Sequence, residues 1–274
     1  MNGLVSIVMP SYNVGAYISD AIESIIAQTY TNWELLIVDD CSTDNTVEVI
    51  NSYNDSRIHL FSNAVNSGAA ISRNYALRDA KGKWIAFLDS DDIWDPQKLE
   101  KQINFMIENN YSFTFTDYRI CLNGKWMPYV CYGPDVVDKR KMYNYCYFST
   151  ITVMYDREKI GLVQIENLRK NNDYAMWLQI IEKSNAYRLP ECLSYYIKHD
   201  DSVSGGSKLK LIKWHYRLFR IGLKKDPVSS LFLTGNNMVH GAIKKIRYKL
   251  PVEGEPVLVP AKAAEKETVA VSEN

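Results

Sequence analysis

The chain has 274 residues, of which 46% are hydrophobic and 23% charged, and Lys plus Arg balance Asp plus Glu at 32 each. That is enough chain for one large domain or a domain plus a small lobe, and a neutral total gives no argument for binding nucleic acid through bulk charge. Five scattered cysteines, Cys41, Cys121, Cys131, Cys146 and Cys192, form no C-x-x-C pair; they speak against a disulfide framework or a zinc ribbon and for a reducing compartment. No basic segment followed by an apolar core opens the chain, and no apolar run approaches the ~20 residues of a membrane span. The expected location is the cytoplasm.

The apolar run Leu4–Met9 predicts a first strand, stopping at Pro10 and opening into Ser11-Tyr12-Asn13. Ile18, Ala21, Ile22, Ile25 and Ile26 recur at helical spacing. Trp33–Val38 predicts a second strand ending in Asp39-Asp40, and Ser42-Thr43-Asp44 offers caps for a helix running to about Tyr53. Arg57–Phe61 predicts a third strand. Asn66-Ser67-Gly68 leads into a helix holding Ile71, Tyr75 and Leu77, closed by Lys81-Gly82 with glycine past its last turn. Trp84–Leu88 predicts a fourth strand, of the kind buried on both faces.

Strand and helix in strict alternation mean a mostly parallel, doubly wound α/β sheet with right-handed crossovers. Ligands bind such sheets beyond the carboxyl ends of the strands. Tyr12 and Asn13, Asp39 and Asp40, and the cluster Asp89-Ser90-Asp91-Asp92 all fall on that edge. Carboxylates packed this closely repel each other unless a cation sits among them, and oxygen-only donors suit Mg²⁺ or Mn²⁺. A solvated acidic turn ahead of Asp95-Pro96, which reads as a helix cap, is the plainer alternative for the cluster taken alone. Neither a G-x-G-x-x-G loop after the first strand nor a G-x-x-x-x-G-K-[ST] loop is present. The phosphates of any nucleotide therefore need a metal and side chains such as Arg73.

Pro96–Asn109 reads as a helix with Leu99, Ile103, Met106 and Ile107 inward. Tyr111–Ile120 and Trp126–Cys131 flank Asn123-Gly124, a strong hairpin signal. The aromatic stretch Tyr143–Phe148 is either an acceptor wall or core filling. Thr150–Tyr155 is another strand. Asp173 opens a helix with Trp177, Leu178 and Ile181 inward. From Lys208, Ile212, Tyr216, Phe219 and Leu223 mark an apolar face, and Lys210, Lys213, Arg217, Arg220 and Lys224 a basic one. This basic amphipathic helix either meets an anionic membrane in plane or packs on the domain with its cations in water. Lys244, Lys245, Arg247 and Lys249 form a second basic stretch.

Val8-Met9-Pro10-Ser11-Tyr12-Asn13, Val38–Asp44, Asn66-Ser67-Gly68 leading to Ser72-Arg73-Asn74, and Leu88-Asp89-Ser90-Asp91-Asp92 together resemble the signature set of family 2 glycosyltransferases. The resemblance is dense over about the first 100 residues and thinner to about 205. It implies a GT-A fold, Rossmann-like with helices on both faces of the sheet. Residues 1–110 would form the nucleotide-sugar-binding half and 111–205 the acceptor half. A helical extension at 206–250 and a disordered tail at 251–274 would follow. It also implies metal-dependent, inverting transfer of a sugar from a nucleoside diphosphate, a UDP-sugar above all, to a hydroxyl of a glycan or lipid-linked acceptor in surface polysaccharide synthesis.

Carried over by position, Pro10, Tyr12, Asn13, Asp39, Asp40, Arg73, Asp89 and Ser90 would hold the donor, with Tyr12 stacking on the base and Asp40 accepting its N3–H. Asp91 and Asp89, joined by His199, would hold Mn²⁺ or Mg²⁺. Asp92 would stand behind them or cap a helix, and Asp173 would be the general base. Asn172 stands where the family pattern has Glu. Gly205-Gly206 would let the loop after Tyr195–His199 close as a lid. A membrane contact through the basic stretch 208–249 would place this cytoplasmic chain peripherally at the inner face of the plasma membrane. A non-catalytic nucleotide-sugar-binding protein and a nucleotidyltransferase of similar fold are the alternatives.

Overall fold

A computed structural model describes residues 2–198 and 208–256. Three βα units open the fold: β1 (Val5–Ser11), α1 (Ile18–Ile26), β2 (Trp33–Asp39), α2 (Thr46–Asn51), β3 (Ile58–Ser62), α3 (Ala69–Asp79), then β4 (Trp84–Phe87). They pair in parallel in the order β3-β2-β1-β4. The chain starts in the middle, winds to one side, and returns to the other, so the strand order reverses beside β1. That reversal opens the crevice in which this sheet type binds ligands.

Alternation along the strands splits the core in two. Val5, Ile7, Met9, Leu35 and Ile37 pack on one face under Ile18, Ala21, Ile22 and Ile25 of α1 and Leu99, Ile103 and Met106 of α4 (Lys98–Glu108). Val8, Leu36, Val38, Ile85 and Phe87 pack on the other, under Ala76 and Leu77 of α3 and Trp177 of α7 (Asn172–Ile180). Each buried isoleucine of the α1 stripe contributes about 1.5–3 kcal/mol. Helices thus cover both faces, as expected for the α/β class.

After a short strand β5 (Ile93–Trp94) and α4, the hairpin β6 (Phe113–Leu122) and β7 (Lys125–Cys131) turns at Asn123 and Gly124. Both have positive φ, 49° and 74°, as a two-residue hairpin turn requires. Next come β8 (Val136–Val137), α5 (Lys139–Asn144), a 3-10 turn at Thr150–Thr152, β9 (Val153–Asp156) and α6 (Arg157–Ile160). Strand β9 lies antiparallel between β4 and β6. The long β10 (Ala186–Lys198) runs parallel to β6 and antiparallel to β5. Beyond it are α8 (Lys208–Arg217), a π-helical turn at Leu218–Gly222, α9 (Pro227–Arg247) and β11 (Lys249–Pro251), which pairs with β7.

Several details depart from the sequence expectations. Gly82 does not end α3 in a left-handed cap. Its α-hydrogens face the backbone of β1, where a Cβ would lie 2.5 Å from Ser6 N. Ile107 is 46% exposed, because one residue advances it about 100° beyond the buried stripe. Tyr147 and Phe148 are core, Phe148 lying against Phe113, Phe115 and Trp177. The apolar face expected beyond Lys208 is shifted. Ile212 is 42% exposed, whereas His215, Leu218, Phe219 and Gly222 turn inward, because the π-helical turn adds a residue to the repeat. Helix α9 falls within the helical extension expected at 206–250, although its own start was not read from the sequence; Asp226 and Pro227 begin it as cap and first residue. Order continues past Pro251, since Val252 N donates to Pro128 O and Arg119 Nη2 to Gly254 O.

Candidate active site

The loops after β1 and β2 are stapled together. Asn13, at φ 51°, accepts Thr43 N through its side chain, and its own amide donates to Ser42 Oγ at 2.9 Å. Val14 N donates to Thr46 Oγ1 and Gly15 N to Asp44 Oδ2. The cap position of α2 is Asn45, one residue past the expected Ser42-Thr43-Asp44, and its side chain makes no cap bond; Asp44, just before it, accepts Thr46 N at 3.0 Å instead. Asn13 and Cys41 (φ 69°), together with Asn171 (φ 58°) ahead of α7, place non-glycine residues in the left-handed region beside the site. Such positions persist only where the surroundings over-determine them. Tyr12, beside Asn13, is 47% exposed rather than in the core. Its ring is open to a planar ligand.

The two acids that end β2 are buried and spoken for. Asp39 accepts Ser42 N at 2.9 Å and holds the turn to which Asn13 is bound. Asp40 accepts Asn63 Nδ2 and Ser67 N through Oδ1 and Gly68 N through Oδ2, at 2.7–2.9 Å. It therefore ties the end of β2 to the exposed amides at the start of α3. A carboxylate has about four acceptor positions, so the expected contact with a base would use the one that remains.

Helix α3 carries Arg73 into the interior instead of to the surface. The guanidinium pairs with Asp89 through Nη2, and Nη1 donates to Asn172 Oδ1 at 3.1 Å. Its Nε has no partner among the described residues. Desolvation alone would lower its pKa, but the surrounding charges of Asp89, Asp173 and Asp91 outweigh that and raise it. Carboxylates from the end of β4 and the start of α7 therefore act on one cation.

Asp89 and Asp91 are partly exposed, whereas Asp92 is fully buried. Asp92 caps no helix. Its Oδ1 accepts Ile197 N at 2.7 Å, which pins the end of β10 to the acidic turn, and its Oδ2 has no partner among the described residues. Burial, reinforced by Asp91 and Asp89, raises it well above the usual carboxylate range.

Asp173 lies in the first turn of α7, where a negative charge is favoured by the helix dipole. Its Oδ2 accepts the hydroxyl of Thr150 at 2.9 Å, and its Oδ1 accepts Tyr174 N at 2.8 Å. Thr150, buried in the 3-10 turn before β9, escaped the sequence reading because a lone threonine carries no motif. Asn172, which stands where the family pattern has Glu, accepts a hydrogen bond from Arg73.

Among the described residues, no group of three or more His, Cys, Asp or Glu side chains could enclose a metal ion. His199 lies outside the described residues, as do Gly205 and Gly206. The donors present, partly exposed carboxylates with an orphaned buried carboxylate oxygen behind them, fit a hard divalent ion that takes its other ligands from water and a substrate's phosphates.

The description "Glycosyl transferase family 2" matches residues 6–161. The chain is 40% identical over 221 residues to TuaG of Bacillus subtilis (strain 168), a glycosyltransferase provisionally assigned to teichuronic acid biosynthesis, covering 79% of this chain and 87% of that protein. It is 39% identical over 248 residues to WfgD of Escherichia coli, described as a UDP-Glc:α-D-GlcNAc-diphosphoundecaprenol β-1,3-glucosyltransferase, covering 88% and 94%. Among solved structures, Staphylococcus aureus TarS 1–349 in complex with UDP-GlcNAc superposes with a TM-score of 0.69 at 20% identity, over 85% of this chain and 71% of that one. A family match over more than half the chain, with relatives this similar along most of its length, places the protein in glycosyltransferase family 2.

Proposed function

We propose that the protein transfers a sugar, with inversion, from a UDP-sugar to a hydroxyl of a lipid-linked glycan at the inner face of the plasma membrane, in surface polysaccharide synthesis. The observation that carries this reading is that Arg73 joins the acidic turn to the start of α7, pairing with Asp89 and donating to Asn172, the neighbour of Asp173. It brings the groups suited to the donor's diphosphate and the group suited to the acceptor's proton to one place. The reaction named for WfgD, with its UDP-Glc donor and diphosphoundecaprenol-linked acceptor, supports the choice of substrates.

In this reading Tyr12 stacks on the base, a contact worth about 1–3 kcal/mol. Pro10, Asn13 and Asp39 set the loop that presents that ring, with Asp40 at the base edge. Asp91, with Asp89 and Ser90 beside it, would hold Mn²⁺ or Mg²⁺, which when bound supplies positive charge to the departing diphosphate. Arg73 supplies a second positive charge from the chain itself. Asp173 takes the proton of the acceptor hydroxyl as it attacks the anomeric carbon, and Thr150 keeps that carboxylate aimed. A carboxylate is basic enough because the proton moves as the transition state forms. Inversion needs no covalent nucleophile. Family membership counts against a nucleotidyltransferase. A binding protein without activity is kept in view by Asn172.

The test is a panel of UDP- and GDP-sugars with Mn²⁺, read first by thermal stabilisation and then by transfer to a diphospholipid-linked sugar. A UDP-sugar should raise Tm and be consumed. Asp91→Ala should abolish both effects, whereas Asp173→Ala should leave donor stabilisation intact and remove transfer. Full transfer by Asp173→Ala, or no stabilisation by any sugar nucleotide, would overturn the reading.

A further inference from the structure

Helix α9 is built inside out. The face it buries carries Ser230, Thr234, Asn237 and Gly241. The face it turns outward carries Val228 (79% exposed), Phe232 (74%), Val239 (60%), Ile243 (42%) and Ile246 (85%). Steps of three, four or seven residues put these side chains in a stripe on one side of a helix about 30 Å long, with the exposed Gly235 between Phe232 and Val239. A helix that faces water ordinarily has the opposite arrangement. Contiguous apolar surface of this extent marks a contact with something else.

The buried face shows that the orientation is specific. Asn237 Nδ2 donates to the hydroxyl of Tyr174 at 2.8 Å, and that hydroxyl donates to Met142 O. Thr234 bonds back to Ser230 O. Gly241 lies against Tyr145, where a Cβ would come within 2.8 Å of the ring. Turning α9 over would break these contacts and bury nothing polar in exchange. Tyr174 follows Asp173 directly, so the stripe is rigidly joined to the helix that carries the expected base.

Charge decides what covers the stripe. Residues 208–250 contain eleven Lys and Arg and a single carboxylate, Asp226, which is occupied in capping α9. At the N-terminal end of the stripe, Val228, Phe232, Leu233 and Tyr143 line a groove of about 470 Å³ with Lys225 at its edge, and Lys139 and Arg140 continue that rim. At the other end stand Lys245, Arg247 and Lys249. An apolar surface bordered by one sign of charge matches the boundary of an anionic bilayer, where acyl chains meet negative headgroups. A second copy of this chain would bring the same cations face to face.

We infer that α9 lies in the plane of an anionic membrane, with Val228, Phe232, Val239, Ile243 and Ile246 among the acyl chains and the flanking lysines and arginines against the headgroups. This deepens the proposal of a lipid-linked acceptor by naming the surface that meets the bilayer. The contact is made by α9, not by the basic face of α8, and it sets Asp173 at a fixed height above the lipid.

Flotation of the full chain with vesicles free of donor and acceptor tests this separately from the transfer reaction. Vesicles of phosphatidylcholine with about a quarter phosphatidylglycerol should carry the protein at least ~10-fold more than phosphatidylcholine alone, and added salt should weaken binding. Phe232→Ser/Ile246→Ser alters two side chains that are 74% and 85% exposed. It should reduce flotation ~10-fold or more while keeping the Tm and the donor-induced shift of the wild type. The inference fails if neither vesicle binds the protein, if both bind it equally, or if the double variant floats like wild type. It also fails if light scattering shows a dimer that the double substitution splits, since a second copy would then be the occupant.

Discussion

The hydroxyl of Thr150 donates to Oδ2 of Asp173 at 2.9 Å, joining the turn before β9 to the first turn of α7. It fixes one oxygen of the carboxylate while Tyr174 N fixes the other. Thr150→Val keeps the shape and removes the donor. We expect kcat to fall about tenfold with KM for the donor little changed, and Thr150→Ser to restore most of the loss. Steady-state kinetics of the three proteins, with donor and acceptor varied separately, check this. A Val variant as fast as wild type would show that Asp173 needs no such support.

Arg73 is the counter-charge for the acidic turn and for Asp173. Arg73→Met leaves Asp89 without its ion pair. Because Asp89 keeps some access to water, the cost in stability should be about 2 kcal/mol, below the figure for a fully buried pair. Arg73→Lys keeps the charge but not the fork that reaches Asp89 and Asn172 together. Denaturant melts should rank wild type above Lys above Met, and donor-induced stabilisation should follow the same order.

The close approach of Gly82 to β1 is a matter of space alone. Gly82 N donates to Ser6 Oγ at 2.7 Å, and Ser6 Oγ donates to the buried Glu34, which also accepts Lys81 N. A methyl group 2.5 Å from Ser6 N and 2.8 Å from Leu4 O meets backbone, which cannot swing aside. Gly82→Ala should cost about 2–3 kcal/mol, although alanine is the better residue in most settings. A variant with unchanged Tm would contradict this packing.

His215 makes acid stability measurable. Burial pushes its imidazole down to about 4, from an ordinary value near 6.5. The folded state therefore prefers the neutral ring. The associated stability is complete above about pH 6.5 and is lost as pH falls toward 4, by at most about 3 kcal/mol. Thermal melts from pH 7.5 to 4 should show a decline for wild type that is shallower in His215→Phe. Equal slopes in the two proteins would remove His215 as the cause.

The sequence alone determined the alternation of strands and helices through β4, the hairpin at Asn123-Gly124, and the edge on which Tyr12, Asp40 and Asp91 gather. These follow from side-chain periodicity and turn chemistry, which are local in the chain. It could not rank the acids. Asp39 and Asp40 look as available in sequence as Asp89 and Asp91, and only folding shows their lone pairs taken by Ser42, Asn63, Ser67 and Gly68. The hold of Thr150 on Asp173 spans 23 positions and belongs to no motif. The direction of α9 was also undecided, because a helix with a polar face and an apolar face reads the same whichever side is buried. Tertiary contacts to Tyr174 and Tyr145 chose the polar side, since those partners exist only once distant segments have packed.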